Sequence, residues 1–573
     1  MTEPEHVHDT TLHVDASALG LPSSVQVYDT TLRDGSQQEG ISLTIDDKLR
    51  VAEQLDHLGV AFIEGGYPGA NPKDAEFFQR ASRELHLKSA SLVAFGSTRR
   101  AGARVQDDPL VAELLRADTD AVCIVGKASE LHVTETLRTS LDEAVAMVSD
   151  TVAYLNAEGR RVFFDAEHFF DGYFEASEFS RRVLEAAEQA GAEGLVLCDT
   201  NGGMLPSQVA EVLGTIRQQT SAVLGVHFHN DSGCAIANTL AGVYEGATQI
   251  QGCVNGYGER AGNADLCSAI ANLTLKLGVE TIPRERIALI TPVSRHVAEI
   301  VNIAVDPQRP YVGKSAFTHK AGLHASAIAR RRDAYEHVDP DSVGNGTRVV
   351  VSELAGRSTL AMKAEELGIT LDSASVSNVL ETLKALERDG YHFEVADGSL
   401  ELLMRAAADG VKSLQQYFEV ESLSVVTGWV ESAARDSAAE RIVHPWDRDG
   451  DLTTEATIKV RVDGDLVVAT AKGNGPVHAL DAALRSAIGS YFPELALLHL
   501  TDYRVRVLNT AEGTAAVTRV LIDLADQEGQ FSTIGVSENI IESSWQALVD
   551  GIVFGLVRAE RHRSEMGDSS ATN

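Results

Sequence analysis

Eight short apolar runs, each followed by a polar loop and most by a helical stretch, constrain this chain more than any other feature. They occupy residues 25–28, 60–63, 90–95, 121–125, 161–164, 195–198, 224–228 and 249–254. The stretches between them are amphipathic. In residues 44–58, Thr44 stands as N-cap, Asp46 and Asp47 fill the first turn, and Leu49, Ala52, Leu55 and Leu58 share one face. Residues 141–155 form another such helix. Eight strands alternating with helices over about 250 residues meet the requirement of a (β/α)8 barrel. A doubly wound open sheet is the competing arrangement. Against it, no GxGxxG follows the first run, and polar residues cluster after most runs rather than at one switch point. The expected fold class is α/β, a TIM barrel over residues 25–288 preceded by a disordered polar tail, residues 1–24.

The chain has 573 residues, more than one hydrophobic core organises. From about residue 283 the alternation stops. Residues 289–415 are helix-rich and read as linker subdomains that complete the active site. They include SAFTHKAGLHASAIARRRDAYEHVDP (315–340), a small helical subdomain at 371–410 and a turn-like ADGSLE at 396–401. Residues 416–558 are strand-rich and contain an internal echo. Two ββα units, each with a small-residue loop before its helix (473–476 and 535–538), predict a pseudo-symmetric α+β domain. Gly473, Gly475 and Gly535 in those loops could receive a carboxylate at a helix N-terminus, or simply make tight turns. Residues 559–573 read as a polar tail.

Charge and composition exclude some functions. A net charge of −34 repels phosphate backbones and argues against nucleic acid. No uninterrupted run of eighteen apolar residues is present, so no membrane span is expected. The acidic N-terminus lacks the apolar core of a secretory signal. Cys123, Cys198, Cys234, Cys253 and Cys267 form no CxxC pair, which fits a reducing, cytoplasmic location without disulfides or structural zinc.

In a barrel the C-terminal ends of the strands share one mouth. The first run empties into Asp29, Thr30, Thr31, Arg33 and Asp34. Around the mouth follow Glu64, then Glu167 and His168, then Asp199 and Thr200. His227, His229, Asn230 and Asp231 come next, and Asn255, Glu259, Arg260 and Asn263 close the ring. His227 and His229 alternate along one strand and so face the same way. With Asp34 they suit one divalent metal, because strands one and seven both border strand eight. An HxH alone is more often structural; Asp34 and the loop NGYGERAGN (255–263) favour the metal, with Asn263 as a weak oxygen ligand. Glu259 and Arg260 also suit a simple salt bridge. Glu167, beside Phe163 and Phe164, could be a base, a histidine anchor or a turn acid. Arg330, Arg331 and Arg332 could meet the phosphates of an anionic cofactor, or form a solvated helix face. His324 and Tyr335 find no place in the barrel.

DTTLRDG, HFHND and NGYGERAGN, in that order, resemble the metal-dependent aldolase-type barrels that include the 2-isopropylmalate, homocitrate and citramalate synthases and hydroxymethylglutaryl-CoA lyase. The C-terminal half resembles the regulatory domain of the synthases, which the lyase lacks. Within the family YDTTLRDGSQQEG, EGGYPGANPKDAEFF, DAEHFFDGY and SELAGRS are most similar to the long-form citramalate synthases, with Ser36–Glu39 part of that likeness. The resemblance implies Asp34, His227, His229 and Asn263 as ligands of a divalent metal (manganese, magnesium or zinc). It implies Arg33 as the group polarising the substrate carbonyl, Thr200 as a contact of the 2-oxo acid, and Glu167, His324 and Tyr335 in deprotonating acetyl-CoA. It further implies pyruvate as second substrate, isoleucine as effector at the Gly473 and Gly535 loops, and a homodimer in which the segment with His324 and Tyr335 serves the partner's site. Alternatives are 2-oxoisovalerate as acceptor, a hydroxyacyl-CoA lyase, or a non-catalytic binding protein.

Overall fold

The eight apolar runs become eight parallel strands, and the last closes on the first. The computed structural model describes residues 16–320, 327–328, 331–351, 356–410, 415–430, 451–508 and 515–570. The strands are β1 (Gln26–Asp29), β2 (Phe62–Gly66), β3 (Ser91–Ser97), β4 (Ala121–Lys127), β5 (Arg161–Glu167), β6 (Gly194–Asp199), β7 (Val223–Phe228) and β8 (Gln249–Gly252). Between them lie α1 (Ile45–Leu58), α2 (Pro72–Glu84), α3 (Pro109–Arg116), α4 (Leu141–Ala157), α5 (Phe169–Gln189), α6 (Pro206–Arg217) and α7 (Ala235–Tyr244). Closure runs from Gln26 opposite Gln249 to Asp29 opposite Gly252. The fold is therefore the expected TIM barrel.

Strand alternation separates two cores. Tyr28, Phe62, Val93, Phe95, Ala121, Cys123 and Phe163 form one buried cluster inside the barrel. The Phe62 and Phe163 rings meet edge-on at 4.9 Å, and Tyr28 meets Phe163 at 5.8 Å. The opposite parity packs on the helices in a larger apolar cluster. At the start of α1, Thr44 Oγ1 accepts from the Asp47 amide, and the Asp47 carboxylate accepts from the Thr44 amide at 2.9 Å. Such a capping box stabilises a helix by about 1 kcal/mol.

The stretch before β1 is not all tail. Ala16 and Leu21 are buried in the barrel's outer core, and the backbone of Ser23 and Val25 bonds to Glu280. Two apolar side chains are enough to bring residues 16–24 onto the barrel; residues 1–15 lie outside the described residues. After β8 come α8 (Leu266–Ala271) and α9 (Ile290–Val301). By internal packing the chain divides into two units, residues 1–318 with 332–348, and residues 319–331 with 349–573. The segment expected as a continuous linker is thus shared between them.

In the second unit lie α10 (Arg357–Glu366), α11 (Ser373–Arg388) and α12 (Asp397–Asp409); the last two fall in the 371–410 stretch read as helical, and α10 precedes it. The ADGSLE stretch, expected as a turn, is the start of α12, where Leu400 and Leu402 are buried. Then follow β9 (Glu419–Val430), β10 (Asp451–Val462), β11 (Asp465–Gly473) and α13 (Pro476–Ile488). The pattern repeats in β12 (His499–Val507), β13 (Thr518–Asp526), β14 (Gly529–Ser537) and α14 (Ile540–Ser570). Each half is βββα, a three-stranded antiparallel sheet with one helix, not the ββα unit expected from sequence. The overlooked strands, β9 and β12, have few buried residues, so an apolar pattern does not announce them. The helix α14 also extends through most of the stretch expected as a polar tail. Among the described residues, Ile540–Arg563 is the one stretch long and apolar enough to cross a membrane. Most of it is buried within the protein, as a core helix against β13 and β14.

The repeat explains its glycines. A Cβ on Gly473 would lie 2.4 Å from the Ala479 amide nitrogen, and one on Gly535 would lie 1.9 Å from the Ser543 carbonyl oxygen. Gly535 sits within β14 rather than in the loop where it was expected. Both glycines let a strand approach its own helix. Gly475 differs, with φ −174° and no atom within 4 Å of the position a Cβ would take. Gly475→Ala is therefore expected to change unfolding free energy by less than about 0.5 kcal/mol in a denaturant titration.

Candidate metal and substrate site

The end of β1 turns inward because Asp29 holds it there. Asp29 is fully buried and accepts from the Thr31 amide and hydroxyl, both at 2.9 Å. The Thr31 hydroxyl in turn accepts from the Val254 amide after β8. Burial pushes the Asp29 carboxyl up to about 7, against the pull of these hydrogen bonds. A raised folded-state pKa means stability present below the unfolded value and lost as pH climbs to about 7. Asp29→Asn carries no such charge. Relative to wild type its unfolding free energy should therefore gain roughly 2 kcal/mol between pH 5 and pH 7.5, read by urea titration at each pH.

Beyond that turn, Asp34 meets the two histidines of β7. Its Oδ2 lies 3.2 Å from His227 Nε2 and 3.7 Å from His229 Nε2, with all three residues buried. One ligand atom from each lies within 4.8 Å of the others. Burial disfavours the charge on Asp34, but the Arg33 guanidinium and the His227 ring outweigh it and hold the carboxyl well below its usual range. His229 is lowered to about 4 by burial and by its His227 neighbour, so its ring stays neutral and able to donate a lone pair. Burial alone would lower His227, yet the Asp34 carboxylate raises it.

Asn263 arrives from the loop after β8 and pairs with His229 in an isolated β-bridge. Its Nδ2 donates to the Tyr257 carbonyl at 3.0 Å, while its buried Oδ1 has no hydrogen-bond partner. An orphaned buried amide oxygen on the residue bridged to His229 fits a divalent cation, since such an atom is costly to leave unsatisfied.

Arg33 is locked in place next to this group. Its Nε donates to Glu64 Oε1 at 2.6 Å, its guanidinium lies 3.9 Å from the Phe95 ring centroid, and NH1 stands 3.5 Å from Asp34 Oδ1. The Tyr28 hydroxyl holds the other Glu64 oxygen at 2.7 Å. A guanidinium fixed on a carboxylate and an aromatic face keeps one geometry.

The other expected residues are distributed as follows. Thr200 Oγ1 accepts from the His168 amide at 2.9 Å, and the Thr200 carbonyl accepts from Arg260. Glu167 stands at the end of β5, with its carboxylate ion-paired to Lys127. Arg260 pairs chiefly with Asp231, at 2.8 and 3.0 Å, rather than with Glu259 at 3.9 Å. Asp199 accepts from the Gly203 and Met204 amides. Asn255 is tied to Ser294 and Tyr257, which makes it part of the loop's frame. Tyr335 is exposed, in a turn after the short helix Arg332–Ala334. His324 and Arg330 lie outside the described residues.

Sequence reasoning missed Asp165 and Gln251, both buried on the barrel's inner face. Asp165 groups with Glu64 and Cys123. Gln251 pairs across strands with His227. The signal was a carboxylate interrupting the apolar FFDAE and two glutamines alternating in QIQG; polar residues at inward positions of a barrel strand need partners.

Three family models match the chain. The HMGL-like model covers residues 24–289, the homocitrate synthase post-HMGL domain-like model residues 311–390, and the LeuA allosteric (dimerisation) domain model residues 394–555. The chain is 51% identical to the (R)-citramalate synthase of Streptomyces coelicolor, across 94% of this chain and 98% of that one. It is 48% identical to the (R)-citramalate synthase of Synechocystis sp., across 93% and 96%. A probable 2-isopropylmalate synthase of Methanopyrus kandleri is 31% identical, across 93% and 98%.

Proposed function

Because this chain belongs to the (R)-citramalate synthase family, an HMGL-like barrel joined to a LeuA-type domain, we propose that its barrel mouth condenses acetyl-CoA with pyruvate to give (R)-citramalate and CoA. The observation that carries the chemistry is the buried group of Asp34, His227 and His229, together with the unpartnered side-chain oxygen of Asn263, the residue bridged to His229. These four residues would hold a divalent metal (manganese, magnesium or zinc), which when bound supplies Lewis-acid polarisation of a 2-oxo acid. Arg33, fixed by Glu64 and Phe95, stabilises negative charge developing on the keto oxygen of pyruvate. Thr200 contacts the oxo acid.

A base drawn from Glu167, His324 and Tyr335 removes a methyl proton of acetyl-CoA. The enolate carbon forms a bond to C2 of pyruvate, and the resulting alkoxide takes up a proton. Water then attacks the thioester carbonyl, the C–S bond breaks, and CoA leaves as its thiol. Two chains pair through the LeuA-type domain, and the segment with His324 and Tyr335 completes the partner's site. Isoleucine acts as feedback effector on that domain. The enzyme works in the cytoplasm, in isoleucine biosynthesis.

The test is CoA thiol release with a panel of 2-oxo acids. Pyruvate is expected to exceed 2-oxoisovalerate in kcat/KM by about 10-fold or more. Faster turnover with 2-oxoisovalerate would make the chain a 2-isopropylmalate synthase instead. Inhibition by isoleucine, and not by leucine or valine, is expected in the same assay.

A further inference from the structure

Below the four candidate ligands runs a buried line of polar side chains from β7 through β8 to β5. His227 Nδ1 and Gln251 Oε1 lie 2.9 Å apart, within hydrogen-bond distance, and Gln251 Nε2 donates to Asp165 Oδ1 at 3.1 Å. His227, Gln251 and Asp165 are all buried, and His227 and Gln251 are register partners across β7 and β8. With Asp165 ionised, the polarity of this line has one consistent setting. An ionised Asp165 carboxylate accepts and cannot donate, so it must take the amide NH2 of Gln251. The amide oxygen is then turned to His227, and only an N–H can face it. The proton of a neutral His227 ring is thereby placed on Nδ1, and the lone pair is left on Nε2, the atom that lies 3.2 Å from Asp34.

We propose that Gln251 and Asp165 are positioning residues that set the tautomer and ring orientation of His227 for metal binding. Neither belongs to the group of three that would face the ion. The inference rests on the metal-centre reading above and adds a role for two residues that reading does not use. Partners of this kind typically contribute about 10- to 100-fold in metal affinity.

The decisive experiment reverses the donor and acceptor polarity of the line. Asp165→Asn no longer obliges the Gln251 amide to present its oxygen to His227. In the full-length protein its Mn2+ affinity, measured by electron paramagnetic resonance of free Mn2+, should fall by about 10-fold or more. Adding Gln251→Glu restores the order, because the new carboxylate accepts both from the NH2 of the introduced asparagine and from His227 Nδ1. The double variant should return to within about threefold of wild type, a rescue that a purely structural defect would not show. Gln251→Leu should weaken Mn2+ binding as Asp165→Asn does, and circular dichroism of the metal-free proteins shows that each is folded. Unchanged Mn2+ affinity in Asp165→Asn, or a double variant no better than the single, would overturn the positioning role alone. A wild-type chain whose Mn2+ binding is unaffected by Asp34→Ala would overturn the metal centre and the positioning role with it.

Discussion

His227→Ala is expected to lose bound metal and at least about 10^3-fold in turnover with pyruvate and acetyl-CoA. The ring meets Gln251 at Nδ1 and turns Nε2 toward Asp34, and removing it leaves His229 as the one imidazole of the group. Asp34 keeps its Arg33 neighbour, so the fold should survive and the loss should be chemical. Metal content after dialysis, thiol release and a thermal melt separate these effects. Retained metal with wild-type turnover would remove His227 from the centre. A small change in KM with a large fall in kcat is the expected split, since Arg33 still offers its charge to the substrate.

Gly535→Ala is expected to destabilise the second unit by more than about 3 kcal/mol. The added methyl would lie 1.9 Å from the Ser543 carbonyl oxygen, an atom fixed in the backbone of α14, so no rotamer change relieves the contact. The strand must move off its helix, and Val520, Ile522 and Leu548, all buried in that core, lose packing with it. A broadened or lowered melt is the readout. An unchanged melt combined with lost isoleucine inhibition would instead support the loop-ligand role first expected for Gly535. Gly475→Ala, which meets nothing, is the cleaner probe of effector binding.

The barrel was legible because each apolar run is both a strand and a buried one; parity turns His227 and His229 the same way, and the neighbour that β1 and β7 share, β8, brings Asp34 to the same mouth. Asn263 was legible only as part of a glycine-rich loop; its unpaired oxygen emerges only once that loop is folded against β7. Asp165 and Gln251 stayed hidden because a polar residue inside an apolar run looks like noise until its partner, on a strand distant in sequence, is known. The second unit was half legible. Its helices and glycines repeat, but β9 and β12 present mostly exposed residues and carry no apolar signature. The ADGSLE stretch misled in the opposite way: Asp397, Gly398 and Ser399 favour turns locally, but burial of Leu400 and Leu402 draws them into a helix.

The seam between β1 and β8 also orders events in time. The Thr30 hydroxyl donates to the Gly252 carbonyl, and the Val254 amide to the Thr31 hydroxyl, across 222 and 223 residues of chain. During synthesis the β8-facing edge of the first strand, whose other edge pairs with β2, must wait until the eighth has left the ribosome, on the order of ten to fifty seconds at ordinary translation rates. Asp34 stays separated from His227 and His229 for nearly as long. A metal ion therefore cannot nucleate this barrel; it can only reward a chain that has already closed. Newly made chains should pass through a stage in which one edge of β1 and one edge of β7 lack a neighbour, which makes that interval the one most exposed to aggregation and to chaperone capture.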